Sequence, residues 1–148
     1  MKRIDLLDLP EDMRDIVRDC AVRGTRAEFT RNGNTVAVLV SSDEYLALRE
    51  TIAIANDSLL FAQLAQADEE PPEQRGRYER LRFAPSAAPI YDAALRRIEL
   101  DPIIGAPLFE PLKGLWSYRS GDLRIIYKIV PEARAVVVLN MTRVSGVR

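Results

Sequence analysis

Apolar residues recur at helical spacing through Leu9, Met13, Ile16, Val17, Cys20 and Ala21. This stripe predicts an amphipathic helix that starts at Pro10 and stops at Gly24. Glu11 and Asp12 fall in its first turn, where the helix dipole favours acids. Upstream, residues 3–8 predict a short strand. Downstream, residues 27–30 and 35–40 favour β structure and flank Arg31-Asn32-Gly33-Asn34, a strong hairpin signal. Ser41 and Glu44 have capping-box spacing before a helix that carries Tyr45, Leu48 and Ile52 on one face. Asp57-Ser58 marks a break or a second cap, and a further helix is expected over about 59–67.

After residue 76 the pattern begins again. Residues 78–83 predict a strand ended by Pro85. Ser86 can cap a helix that runs to about Leu100, with Ile90, Ala94, Leu95 and Ile98 apolar, and Asp101-Pro102 ends it. Three antiparallel strands are expected at 115–119, 123–130 and 135–141, with turns at Ser120-Gly121-Asp122 and Pro131-Glu132-Ala133-Arg134. The expected fold class is α+β, with two small domains joined by the acidic, proline-containing stretch 68–76.

Charge sharpens that division. Residues 1–76 hold nine Lys and Arg against fifteen Asp and Glu, and residues 77–148 hold twelve against seven. An acidic half joined to a basic half suggests two partners written as one polypeptide. Asp68, Glu69, Glu70 and Glu73 could face the basic half, or belong to a plain solvated linker. No apolar run approaches the ~18–20 residues that span a bilayer. The first residues carry acids where a signal peptide needs an apolar stretch. No membrane partner and a cytoplasmic location are therefore expected. The one cysteine, Cys20, sits on the apolar stripe and reads as buried. Histidine is absent, which removes the usual general base and the commonest metal ligand. No metal and no cofactor is expected.

Two resemblances follow. Thr30-Arg31-Asn32-Gly33, the Val-rich run 36–40, Ser41 with Glu44-Tyr45, and Leu48-Arg49-Glu50-Thr51 occur in the order found in the Phd/YefM antitoxins. Residues 1–70 resemble that family over most of their length, which implies an antitoxin-like domain over 1–67. Leu112-Lys113-Gly114 followed by Arg119-Ser120-Gly121-Asp122-Leu123-Arg124-Ile125-Ile126-Tyr127, after a helix ending in Asp-Pro, looks like the RelE/ParE toxin superfamily. That resemblance covers residues 77–148.

Together they imply a fused antitoxin and toxin. The first part would form a homodimer and bind operator DNA. The second would be a neutralised toxin domain, held by contact within one chain or swapped between two. RelE-like members cut mRNA on the ribosome, and ParE-like members poison gyrase. The sequence departs from the RelE pattern in three ways. One helix stands where a pair is frequent, no Tyr follows the last strand, and the strand entering the hairpin lacks paired lysines. These departures leave two other readings open: a transcriptional autoregulator with a vestigial toxin domain, and an active endoribonuclease regulated by its fused antitoxin.

By motif, Arg124 and Arg143 correspond to phosphate-holding arginines, a role that suits a planar, permanently charged fork. Lys113 and Tyr118 are the candidates for proton transfer. The other reading makes Arg119, Arg124 and Lys128 the solvated face of a sheet. Trp116 reads as core. For DNA, Arg31 at the hairpin tip is the first candidate, with Arg14, Lys2 and Arg3 in reach of phosphates. Arg14 and Arg18 could instead pair with Glu11, Asp15 or Asp19 along the first helix.

Overall fold

The computed structural model describes residues 1–69 and 88–144. Among these the chain is α+β, with four α-helices and two antiparallel sheets. It divides into two compact units, Met1–Leu46 and Ala47–Arg148.

In the first unit the expected strand at 3–8 is replaced by a 3-10 turn over Leu6–Asp8. The Asp5 carboxylate accepts the Leu7 N–H at 2.9 Å, and this local bond competes with extended backbone. Helix α1 (Glu11–Arg23) follows and ends as expected. Gly24 is left-handed at φ 66°, and its N–H bonds the Cys20 carbonyl. Strands β1 (Ala27–Arg31) and β2 (Asn34–Leu39) pair around Asn32 (φ 53°) and Gly33 (φ 79°). Positive φ at both central residues is the type I′ geometry that matches strand twist.

Helix α2 (Ser42–Ala55) begins in this unit. Ser41 Oγ caps it by accepting the Glu44 N–H at 3.1 Å, while the Glu44 carboxylate pairs with Arg26. Among residues 1–46 only Cys20 is buried, and Val36 and Val38 of β2 are exposed.

The second unit is built on a sheet of order β3-β4-β5-β6: β3 (Ala106–Pro107), β4 (Leu115–Ser120), β5 (Leu123–Val130) and β6 (Ala135–Arg143). Strand β5 is buried at five successive positions from Leu123 to Tyr127, so both faces of the sheet are covered. On one face Tyr118, Leu123, Ile125 and Tyr127 pack with Tyr91, Ala94 and Ile98 of α4 (Ala88–Leu100). On the other, Ile126 and Leu139 join Leu108 and Leu112. These pack with Ile54 of α2 and with Leu60 and Leu64 of α3 (Ser58–Glu69), which Asp57 caps.

Residues 47–69 therefore share a core with the C-terminal sheet. The compact units part at Leu46/Ala47, inside α2. Asp68 and Glu69 close α3. Residues 70–76, the strand expected at 78–83 and the Ser86 cap lie outside the described residues. No described helix is long and apolar enough to cross a membrane.

Tyr127 ties the sheet to the segment after α4. Its hydroxyl donates to the Pro102 carbonyl at 2.7 Å and accepts the Gly105 N–H at 3.2 Å. Burial pushes this phenol above its ordinary value. The Gly105 N–H works against that rise, and the nearby Asp101 and Tyr118 add to it. A Cβ on Gly105 would stand 2.6 Å from the Tyr127 hydroxyl and 2.8 Å from the Ser117 carbonyl. Gly105→Ala should therefore force the segment off the sheet and cost about 1–3 kcal/mol, readable as a lowered urea midpoint.

Candidate functional site

The face of the sheet under α2 and α3 carries a polar cluster where a hydrophobic layer would suffice. In the β4–β5 hairpin Arg119 lies directly opposite Arg124, and Ser117 opposite Ile126. Two like charges opposed across strands repel. Here one acid from α2 sits against both: Glu50 Oε2 accepts from Arg119 Nη1 at 3.3 Å, and Glu50 Oε1 lies 2.6 Å from Arg124 Nε. Ser117 Oγ donates to Glu50 Oε1 at 2.9 Å. Three side chains of the sheet thus converge on one carboxylate.

Burial makes the cluster consequential. The side chains of Arg124 and Glu50 are 8% and 13% exposed, that of Arg119 30%. The short Arg124–Glu50 contact is ionic, and the angle at Nε falls outside hydrogen-bond geometry. Helix α2 is held in register by the next residue. Thr51 Oγ1 donates to the Ala47 carbonyl at 2.8 Å and accepts the Phe109 N–H at 3.0 Å. Further along the same face Asn140 pairs in register with Ile126 and donates to Gln63 at 3.5 Å, while its buried Oδ1 has no hydrogen-bond partner among the described residues. Lys128 meets Asp68 at 3.2 Å, so one acid of the 68–76 stretch does face the basic half.

The four sequence candidates for phosphate and proton chemistry do not converge. Arg124 is in the cluster. Tyr118 belongs to the buried layer under α4, on the opposite face. Arg143 pairs in register with Leu123, whose side chain is also in that layer, and sits 3.7 Å from Asp122, exposed. Lys113 is exposed in the segment before β4. Trp116 packs partly buried beside Tyr127, ring centroids 6.5 Å apart, as the core reading requires.

Among the DNA candidates Arg31 is exposed at the end of β1, and Lys2 and Arg3 are exposed near the start of the chain. Arg14 is turned inward on its own helix, its Nε donating to the Leu9 carbonyl at 2.9 Å. Arg18 pairs with Asp15 at 3.0 Å.

Sequence reasoning missed Glu50, Ser117 and Arg119 as members of a site. Glu50 stood inside the Leu-x-Glu-Thr motif, but only the fold brings that motif to the sheet. The signal available for Arg119 was its mirror position to Arg124 about the Ser120-Gly121-Asp122 turn. Comparison with protein-family models, with curated proteins and with solved structures returns no match for this chain.

Removing Glu50 leaves two guanidinium groups facing each other with their shared partner gone. Breaking one partner out of a buried ion pair costs ~3–5 kcal/mol. Glu50→Ala should lower the unfolding free energy by about 3 kcal/mol, the low end because Arg119 reaches solvent. Arg119→Ala should cost less than half of that. Urea titrations followed by circular dichroism measure both.

Proposed function

We propose that this chain is a single-chain toxin–antitoxin module: an antitoxin-like, dimeric, operator-binding unit that carries a RelE-like toxin domain in a neutralised state. One observation supports this reading above the others. Glu50, within the antitoxin-like motif, lies against Arg124, the residue that corresponds by motif to a phosphate-holding arginine. A substrate phosphate and the Glu50 carboxylate would need the same guanidinium, so the chain inhibits itself at high effective concentration. The exposed Val36 and Val38 supply an apolar strand for a second copy, and a symmetric dimer is the commonest soluble oligomer. The module would work in the cytoplasm, on operator DNA and, if active, on mRNA at the ribosome.

The second reading is a transcriptional autoregulator with a vestigial toxin domain. The dispersal of Tyr118, Arg143 and Lys113 away from Arg124 favours it. Electrostatic stabilisation by arginine would remain, without the ~10²–10⁴-fold that positioned proton transfer adds.

Induction of the full chain in bacteria separates the two. Under the neutralised-toxin reading the unaltered chain is harmless. Glu50→Ala slows growth and produces cuts in ribosome-bound mRNA on primer extension, and the added Arg124→Gln change abolishes both. A folded Glu50→Ala protein that neither slows growth nor cuts mRNA makes the domain vestigial.

DNA binding has its own measurement. Fluorescence anisotropy with DNA from upstream of the protein's own gene should show Arg31→Ala weaker by ~1–3 kcal/mol if this side chain reads a base. Equal affinity of the variant and the parent removes Arg31 from the interface.

A further inference from the structure

We propose that Asn32-Gly33, at the tip of the β1–β2 hairpin, is a self-modifying site: the asparagine deamidates through its own backbone when the first unit opens. The reaction needs only water. The Gly33 amide nitrogen attacks Asn32 Cγ and closes a cyclic imide, while the C–N bond of the side-chain amide breaks. The proton from Gly33 leaves with the amino group as ammonia. Water then adds to either carbonyl of the imide and opens it, giving isoaspartate or aspartate.

The surroundings single out this position. Glycine follows the asparagine, so no Cβ shields the attacking nitrogen, and no atom beyond its chain neighbours lies within 4 Å of where one would stand. Both residues are exposed, and the Gly33 N–H makes no backbone hydrogen bond among the described residues. The other asparagines lack this set. Asn34 precedes the β-branched Thr35, Asn56 precedes Asp57, and Asn140 is buried before Met141.

The closed turn holds the reaction back. Asn32 at φ 53° and Gly33 at φ 79° are both left-handed, and the strands are paired up to Arg31 and Asn34. For the nitrogen to reach Cγ, the peptide joining the two residues must rotate out of that turn. Opening is therefore the gate, and it is cheap here. A lone two-stranded hairpin is marginal in water, and among residues 1–46 only Cys20 is buried.

Conversion is one-way. It adds a negative charge beside Arg31, and isoaspartate inserts a backbone carbon into a two-residue loop whose geometry matches the strand twist. The consequence for DNA rests on the reading above, in which Arg31 faces the operator; the modification itself does not. Under that reading DNA-bound chains keep the hairpin closed and are protected, while unbound chains age out of the DNA-binding pool.

Ageing of the full chain at mildly alkaline pH tests the site. Peptide mass spectrometry places the conversion, and labelling by isoaspartyl methyltransferase identifies the product. Asn32 should convert well before Asn34, Asn56 and Asn140, and faster as pH rises, because the attacking nitrogen must lose its proton. Urea too dilute to unfold the second unit should speed conversion. Gly33→Ala shields the nitrogen even as it loosens the turn, and should lose most of the conversion. Conversion of Asn32 no faster than that of Asn34 and Asn56 would overturn the site, and a rate that urea leaves unchanged would overturn the gate.

Asn32→Asp carries the charge of the product from the start. In fluorescence anisotropy it should bind DNA from upstream of the gene about two- to five-fold more weakly than the parent, the range of one exposed ion pair. Saturating DNA should slow conversion of the parent. Conversion of Asn32 in a chain that binds no DNA keeps the modification site and removes the operator reading. DNA binding by an aged chain whose Asn32 is intact does the reverse.

Discussion

One carboxylate shared by two opposed guanidinium groups governs the second unit. Arg119 and Arg124 are forced together by the register of the β4–β5 hairpin, and without an acid between them they would repel each other. Glu50 turns that repulsion into a reason for α2 to lie on the sheet. Thr51 then fixes the helix to Phe109, and Ile54 enters the apolar cluster one turn later. The residues Ala47, Glu50, Thr51 and Ile54 form one stripe at helical spacing. With Arg119 and Arg124 on the sheet, that stripe needs an acid at its centre.

The sheet itself explains why a helix must be there at all. Strand β5 is buried on both sides, so each face needs its own layer. Helix α4 supplies one from the C-terminal half of the chain, and α2 with α3 supply the other from the N-terminal half. The two clusters are unlike in character. The face under α4 is aromatic and aliphatic. The face under α2 and α3 mixes aliphatic residues with Ser117, Arg124 and Asn140, all buried polar groups.

Local signals in the sequence were legible wherever the chemistry was local. The Asn32-Gly33 pair gave the hairpin, Ser41 and Asp57 gave the helix caps, Gly24 gave the stop, and the three long strands of the C-terminal sheet fell close to their expected places. The failures were non-local or competitive. At residues 3–8 the carboxylate of Asp5 won over β propensity. The apolar positions of α3 face the sheet through long-range packing that their local spacing does not show. The site was half visible. Arg124 stood out by motif, while its partners came from a strand pairing and a helix docking that no spacing in the chain encodes. Tyr118 shared the hairpin with Arg124, and the period-two alternation of strands sent it to the opposite face.

The division inside α2 has a consequence for turnover. Degradation of folded chains begins at segments that open cheaply, and the first unit buries a single side chain among its residues while the second holds two apolar clusters. A protease that consumed Met1–Leu46 would meet the compact second unit at Ala47, upstream of Glu50. The first unit would be lost while the Glu50 carboxylate kept its place on Arg124. In this architecture loss of the first unit would leave both layers on the sheet, so the two units would have separate lifetimes.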